Sequence, residues 1–490
     1  MTKSRYRMAP SPTGALHIGN ARTALYNYLL ARKTGGTYVL RIEDTARDRS
    51  RPEFEQTIFE GFRWLGIEWD EGPGIGGDYG PYRQSERIDL HREWLAKLID
   101  GGWVYRCFCT PEELADARKR AQAEKRPPKY SGRCRNLSEA ETRLRLAAGE
   151  TAAYRFRVEP RIVEYRDLVL GDLREDAGLW GDFVICRSNW LPVYNFAVVI
   201  DDHTMEITHA VRGADHISNT FRQIVMYDAL EIPPPRFGHL PLILNRKKQK
   251  LSKRDGAVSV EEYMTQGYLP EAVRNFIVLL GWNPGDEREM FNLEELVDEY
   301  SLDRVSSANP IYDIGKLDWF NGVYMRGMAV GELAGRARPF VKAAGLDIDS
   351  SGNGYFEQAV ALEQERVKKL TDFGDALAFF FEDEVDPDMK FLVRRRGTAE
   401  ETASALQRVL GLVREHGVDD VGVSESYLRG LASELGWKAG ELFMPIRVAI
   451  TGSRATPPLF ETMQVLGKER VISRLNRAGA LLLGVPSVAS

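Results

Sequence analysis

The sequence predicts an α/β protein: a doubly wound parallel-sheet domain, interrupted by an insert and followed by a helical C-terminal half. Three observations predict it. Residues 6–44 read as strand, Gly- and Pro-shaped loop, helix and parallel strand. From about Tyr105 to Asn189 the chain turns irregular and β-leaning before α/β alternation resumes. Beyond Gly256 helical periodicity dominates to the C-terminus.

Tyr6–Ala9 is a short strand candidate that runs into the loop "RMAPSPTGALHIGN", Arg7–Asn20. Ala21–Arg32 then carries Ala24, Leu25, Tyr28 and Leu29 at helical spacing and stops at Thr34-Gly35-Gly36. "TYVLRIED" follows as the second strand. In such a unit the loop N–H groups and the positive helix end face an anion, Gly14 and Gly19 permit close approach, and His17 adds a side-chain donor. A histidine in a capped turn would look the same locally.

The next helix is expected from Ser50 as cap, with Pro52 in its first turn, Glu53 completing a capping box, and Phe54, Ile58, Phe62 and Leu65 as the buried stripe. Another is expected from Ser85, burying Ile88, Trp94, Leu95 and Leu98. Within the insert, "YRFRVEPRIVEYRDLVLGDL" gives short alternating runs. "VYNFAVVIDDH", "EITHAVRG" and a helix after Asp215 restore the α/β pattern, so the nucleotide fold is split. Phe237–Leu244 is the last strand candidate. It leads into "RKKQKLSKRDG", Arg246–Gly256, a run too cationic and Gly-flanked to be core, although most such runs are solvated loops. Helical stretches such as "LPEAVRNFIVLLGW" and "VGELAGRARPFVKAAG" follow, without tandem repeats.

Composition agrees with a large multidomain enzyme. A chain of 490 residues with 43% hydrophobic and 28% charged residues has ordinary globular usage and length for about three domains. The formal charge of −5 gives no global basicity, but clusters at Arg118–Lys129, Arg246–Lys253, Arg366–Lys369 and Arg394–Arg396 leave room for a basic face. The N-terminus lacks an apolar signal core and no apolar run approaches bilayer length, which predicts a cytoplasmic protein without a membrane partner. Four cysteines, three of them between Cys107 and Cys134, do not make a disulfide framework.

The His-containing loop and the later lysine loop, in this order on an α/β frame, resemble the two signature motifs of class I aminoacyl-tRNA synthetases. The resemblance extends to the bacterial glutamyl-tRNA synthetases through "RIEDTARDRS", "GPYRQSER", "VRGADHISNT", "LSKRDG", "LLGW" and "PIRVAITG". Local departures are Asn20 for the closing His of the first motif, and Ala46 and Ala214 for acidic residues. The resemblance implies a Rossmann-like catalytic domain over 1–105 and 190–256, split by an α+β acceptor-binding domain over 106–189. It implies a helical stem-contact domain over 257–325 and all-α anticodon-binding domains over 326–490. A glutaminyl relative would be expected to end in β-barrels.

The implied chemistry is ATP-dependent activation of L-glutamate to an adenylate, with Mg2+, and transfer to the 2′-hydroxyl of the terminal adenosine of tRNA(Glu), with tRNA(Gln) as an alternative acceptor. Phosphoryl chemistry of this kind needs positioning and positive charge rather than a base. His17 can bond a phosphate oxygen, and Lys250 and Lys253 can neutralise charge on the pyrophosphate side. Arg7 and Arg212 end parallel strands, where either can make a planar two-point contact with a carboxylate, and Glu43 can accept from an ammonium. By resemblance Arg7, Ser11, Glu43, Tyr194 and Arg212 line the glutamate pocket, while His17, Gly19, Asp215 and Lys253 contact ATP. An ion pair with Arg41 or a helix cap would be the plainer role for Glu43 and Asp215. Arg366 aligns with an anticodon-contacting arginine. A monomer is the family expectation.

Cys107, Cys109 and Cys134 supply three thiolates for a structural zinc ion. Zinc-binding relatives commonly place a His where this chain has Asn136, so Tyr130 or water is the candidate fourth ligand; three free cysteines are the alternative. Two other enzyme readings fit less well. A small-molecule nucleotidylyltransferase would leave about three hundred residues without a role, and a shortened glutamyl-queuosine relative lacks the helical half. A catalytically dead RNA-binding module would be expected to have lost His17 or Lys253.

Overall fold

The computed structural model describes residues 3–45, 50–126, 129–252, 254, 256, 258–350, 352 and 354–484. Lys253 and Ala46 lie outside the described residues. The chain divides into two compact units, one comprising residues 1–265 and 270–316, the other 266–269 and 317–490.

The first unit is built on a four-stranded parallel sheet of β1 (Arg5–Met8), β2 (Thr37–Leu40), β8 (His209–Gly213) and β9 (Arg236–Leu240), in the order β2-β1-β8-β9. β1 and β2 are buried throughout, as strands covered on both faces must be. Between them α1 (Ile18–Lys33) buries Ile18 and every residue from Ala21 to Ala31, the mark of a helix enclosed on all sides.

Two helix starts differ from the capping pattern. Helix α2 (Pro52–Trp64) starts after Arg51, with no side-chain cap, and the Ser50 hydroxyl is buried without a partner among the described residues. Pro52 brings its own helical φ and lacks the N–H that a cap would satisfy, so it sets the boundary one residue late. Helix α3 (Ile88–Asp100) starts after Arg87. Ser85 instead donates from both its backbone N–H and its hydroxyl to Asp44. The expected stripes survive in part: Ile58, Phe62, Leu65, Leu95 and Leu98 are buried, Phe54, Ile88 and Trp94 half-buried.

The insert has β3 (Val104–Cys107), α4 (Pro111–Ala123), α5 (Glu139–Ala147), β4 (Ala153–Phe156), β5 (Ile162–Asp167), β6 (Gly171–Asp176) and β7 (Phe183–Cys186). Thr110 with Glu113 and Ser138 with Glu141 form complete capping boxes on its two helices. The strands make an antiparallel sheet β3-β4-β7 and a hairpin β5-β6. The insert is packed onto the segments that carry the parallel sheet: Tyr154, Phe156, Val163 and Ile185 share one buried cluster with Phe196, Ala210, Phe221, Ile224 and Phe237.

"VYNFAVVIDDH" is α6 (Tyr194–Thr204), and the helix after Asp215 is α7 (Ile217–Ala229). The last strand stops at Leu240; Leu244, expected to end it, instead bridges Lys250 and Ile311, so the cationic run is the tip of a tight turn. Helices α8 (Val260–Thr265), α9 (Pro270–Val278) and α10 (Leu293–Glu299) follow, and α11 (Ile314–Arg326) crosses the unit boundary. The second unit is helical in its described residues, from Val330–Ala343 to Lys468–Leu482, as expected. No described helix is long and apolar enough to cross a membrane.

Candidate active site

The strand order β2-β1-β8-β9 reverses between β1 and β8, and a crevice outside the carboxyl ends of those two strands is where such a sheet binds ligands. A cleft of about 560 Å³ opens there, lined by Arg7, Ser11, His17, Gly19, Glu43, Tyr194, Arg212, Asp215 and Lys250. The fold thus brings together every described residue expected at the glutamate and ATP sites. A larger cavity, about 950 Å³, lies along β5 and β9 and includes no residue of the Arg7–Asn20 loop.

The two sequence motifs are joined directly. Ile18 N–H donates to Val258 C=O at 2.8 Å and Val260 N–H to Leu16 C=O at 2.9 Å, so His17 and Ser259 form a bridge just after the lysine loop. His17 is the N-cap of α1, with Nδ1 accepting from Gly19 N–H at 3.1 Å. Its cap role and its place in the cleft therefore coexist. Burial, then the nearby Lys250 charge, lowers its pKa, so the ring is neutral and Nε2 carries the proton. At the mouth Lys250 Nζ lies 3.6 Å from Asp215 Oδ2, a pair whose side chains are 67% and 50% exposed and which yields readily to a ligand.

The two expected arginines differ in what they already hold. Arg7 donates from Nε and Nη2 to the two oxygens of Asp202, each at 3.2 Å, so its two-point geometry is taken up within the protein. Arg41 also bonds Asp202, at 2.7 Å, and Glu43 at 3.3 Å. Arg212, 5% exposed, has neutral partners: Thr220 Oγ1 at 2.7 Å, Gln223 Oε1 at 2.5 Å, Tyr194 OH at 3.4 Å and His239 Nε2 at 3.4 Å. No carboxylate lies within 4.0 Å of it among the described residues. A guanidinium withdrawn from water without a counter-ion is electrostatically incomplete, and an anionic ligand group completes it.

Glu43 is held beside the loop by its N–H to Pro10 C=O at 3.0 Å. Burial pushes its carboxyl up to about 7 against the opposing pull of Arg41 and Arg7, so an ammonium arriving in the cleft restores its charge. The Glu43–Arg41 pair is present alongside this placement. Tyr194 OH accepts from Arg212 and donates to His216 Nδ1 at 3.0 Å, a ring whose pKa burial and Arg212 lower to about 4.

Residues 3–319 match the family of class I tRNA synthetases (E and Q), catalytic domain, and residues 332–479 match the anticodon binding domain family. The chain belongs to the class I tRNA synthetases of the E and Q type. It is 47% identical to the glutamate–tRNA ligase of Symbiobacterium thermophilum over 480 residues, covering 96% of this chain and 98% of that one. It is 45% identical to glutamate–tRNA ligase 1 of Syntrophomonas wolfei over 98% of this chain and 96% of the relative. The crystal structure of a glutamate tRNA ligase from Elizabethkingia meningosepticum, in complex with its amino acid, superposes with a TM-score of 0.91 at 32% identity, covering 98% of this chain and all of that chain.

Two features of this synthetase lie away from the cleft. In the insert, Cys107, Cys109 and Cys134 place their sulfurs within 4.8 Å of one another, with Cys109 and Cys134 3.8 Å apart. Tyr130 OH is 3.4 Å from Cys107 Sγ and 3.6 Å from Cys109 Sγ, and the Cys134 N–H donates to it at 3.0 Å. A tetrahedral zinc ion with usual bond lengths separates sulfurs by about 3.8 Å and sulfur from oxygen by about 3.5 Å. The Cys109–Cys134 separation and both Tyr130–sulfur distances match that geometry, and the Cys107 sulfur lies within 4.8 Å of the other two. Arg155 donates to Cys107 Sγ at 3.1 Å and lies over the Tyr130 ring, placing positive charge beside the thiols. In the second unit Arg366 is exposed in the turn after the Tyr355–Glu363 helix, its Nη2 donating to Ala455 C=O at 2.7 Å.

Sequence reasoning named Arg41 only as a partner of Glu43 and missed Asp202, Thr220, Gln223 and His239. Asp202 alone carried a signal, as one of two consecutive aspartates in the apolar run "FAVVIDDH", buried on α6. Thr220 and Gln223 look like ordinary polar positions of α7, and only the fold turns them inward.

Proposed function

We propose that this synthetase is a glutamate–tRNA ligase that activates L-glutamate with ATP and transfers it to the 3′-terminal adenosine of tRNA(Glu). The observation that carries the reading is Arg212, a buried cation with neutral partners at the switch point of the sheet. Arg212 takes the side-chain carboxylate, Glu43 the ammonium, and Arg7, Ser11 and Tyr194 complete the pocket. Glutamine is rejected because its amide NH₂ would meet the guanidinium donor against donor.

The family uses ATP with Mg2+, and the ribose and adenine end lies near Asp215. The glutamate α-carboxylate attacks the α-phosphorus, the bond to the bridging oxygen breaks, and pyrophosphate leaves. His17 Nε2–H donates to a phosphate oxygen while Lys250 and Lys253 offset charge on the leaving group. In the second step the terminal ribose 2′-hydroxyl attacks the acyl carbonyl and AMP leaves. The insert, taken as 106–189, holds the acceptor end; residues 257–325 contact the stem; residues 326–490, Arg366 among them, read the anticodon. The enzyme acts as a cytoplasmic monomer. Cys107, Cys109, Cys134 and Tyr130 hold a structural zinc ion that ties the "CFC" turn to the "GRC" turn, with no position open for chemistry.

Charging of labelled glutamate onto purified tRNA(Glu) and tRNA(Gln) tests the reading. Acylation of tRNA(Glu) with glutamate is expected, and acylation of tRNA(Gln) in the same assay would assign the second RNA partner. Preferential use of glutamine, or no acylation of either RNA, overturns it.

A further inference from the structure

A side chain of the insert enters the polar network behind the cleft. Asp167, the last residue of β5, is 3% exposed and accepts at Oδ2 from His239 Nδ1 at 2.6 Å. Its Oδ1 accepts from the backbone N–H groups of Val169 and Leu170, both at 2.9 Å, and of His239 at 3.2 Å. Burial alone would raise the Asp167 pKa, but the donors from His239, Leu170 and Val169 bring it below the ordinary range, so the group is ionised. An ionised carboxylate can only accept, which puts the ring proton on Nδ1 and leaves a lone pair on Nε2. That lone pair faces Thr220 Oγ1 at 2.9 Å and Arg212 Nε at 3.4 Å. Thr220 Oγ1 in turn accepts from Arg212 Nη2 at 2.7 Å. Donation therefore runs from Arg212 Nε into the ring and from the ring into Asp167, while the single Thr220 hydroxyl proton is shared between Nε2 and the His216 C=O, 3.2 Å away.

We propose that Asp167 and His239 are positioning residues for glutamate selection: together they hold the imidazole with Nε2 as acceptor and so aim the Arg212 guanidinium at the substrate side-chain carboxylate. The inference rests on the reading of Arg212 as the carboxylate-binding cation. The opposite tautomer would turn an N–H toward the guanidinium, donor against donor, and a protonated ring would set a second buried cation beside the first. Burial, with the Arg212 charge, lowers the His239 pKa against the opposing pull of Asp167, which favours the neutral ring. Neither residue lines the cleft, so their loss misaims one binding group and leaves the ATP contacts in place.

Pyrophosphate exchange by the full-length chain with tRNA(Glu) present tests the proposal. Asp167→Asn keeps the side chain's shape but presents an NH₂ to Nδ1, forcing the proton to Nε2. The glutamate KM is expected to rise about tenfold, the ATP KM to change less than about twofold, and the glutamate-to-glutamine kcat/KM ratio to fall. His239→Gln, whose amide oxygen reaches the Nε2 position, is expected to keep a lower glutamate KM than His239→Ala, and adding D167N to it should cost little more. Nitrogen-15 NMR of the histidine-labelled wild-type chain, with seven histidines and His239 assigned by difference against H239Q, is expected to report Nδ1–H. An Nε2–H tautomer in the wild type overturns the proposal even where D167N does not fold. So does a folded D167N with an unchanged glutamate KM, or one that shifts the glutamate and ATP KM values equally. Arg212→Ala separates the two readings: an unchanged glutamate KM there sinks the pocket assignment itself, whereas a raised one alongside a silent D167N sinks the relay alone.

Discussion

His17 Nδ1 accepts the Gly19 N–H at 3.1 Å, and that single contact decides what the other ring nitrogen can do. With Nδ1 occupied as acceptor, Nε2 is a donor throughout the neutral range, and burial keeps the ring from charging. His17→Ala should lower adenylate formation by about 10²-fold while changing the glutamate KM little, because a donor to a transition-state oxygen is lost. Pyrophosphate exchange at saturating and limiting glutamate distinguishes this from a binding defect.

Lys253→Ala should lower adenylate formation by about 10²–10³-fold, again with a small change in glutamate affinity. Equal losses in glutamate binding and turnover would contradict a role at the phosphates.

Arg212→Ala should raise the glutamate KM and let glutamine gain relative to glutamate, since the group that repels an amide is gone. The ratio of kcat/KM values for the two amino acids measures this, and an unchanged ratio removes the assignment.

Glutamate binding should depend on pH through Glu43. With its carboxyl near 7 in the free enzyme, the charged form that pairs with an ammonium is present above pH 7 and is lost as pH falls through it. The glutamate KM should therefore be flat above pH 7 and rise by up to about tenfold per unit below it, with a proton released on binding. Glu43→Gln should have a high KM at every pH; a wild-type KM flat down to pH 5 would place the carboxyl elsewhere.

Elemental analysis of protein purified without chelator should find about one zinc per chain. Cys134→Ser should lower both zinc content and Tm, with a larger effect on charging than on adenylate formation, since the site belongs to the insert. Metal far below one equivalent, with Tm and charging unmoved by the substitution, would leave three free cysteines.

The loop and first helix were legible because their requirements are local: glycine for close approach, a histidine before the helix, a glycine pair after it. Helix starts were legible only to within a few residues: "SRPE" satisfies the pattern from Ser50 while Pro52 enforces a start after Arg51, and the helix expected from Ser85 starts after Arg87. Candidate residues at strand ends reached the cleft because parallel strands deliver their last side chains to one edge. Their partners were not legible. Arg7 meets Asp202 across 195 residues and Arg212 meets His239 across 27, and periodicity in a single chain records neither. That Arg7 would be occupied and Arg212 available for a ligand is a tertiary outcome of two residues that look alike in sequence.

The split sheet also sets an order of events during synthesis. β1 pairs with β8 at Tyr6 and His209, whose rings stack 4.7 Å apart, and the counter-ion of Arg7 and Arg41 is on α6. At ordinary elongation rates about 10–40 s pass between the emergence of β1 and that of its neighbour. Throughout that interval the nascent chain carries an open strand edge, the kind of surface that can pair with another chain, and two guanidiniums without their aspartate.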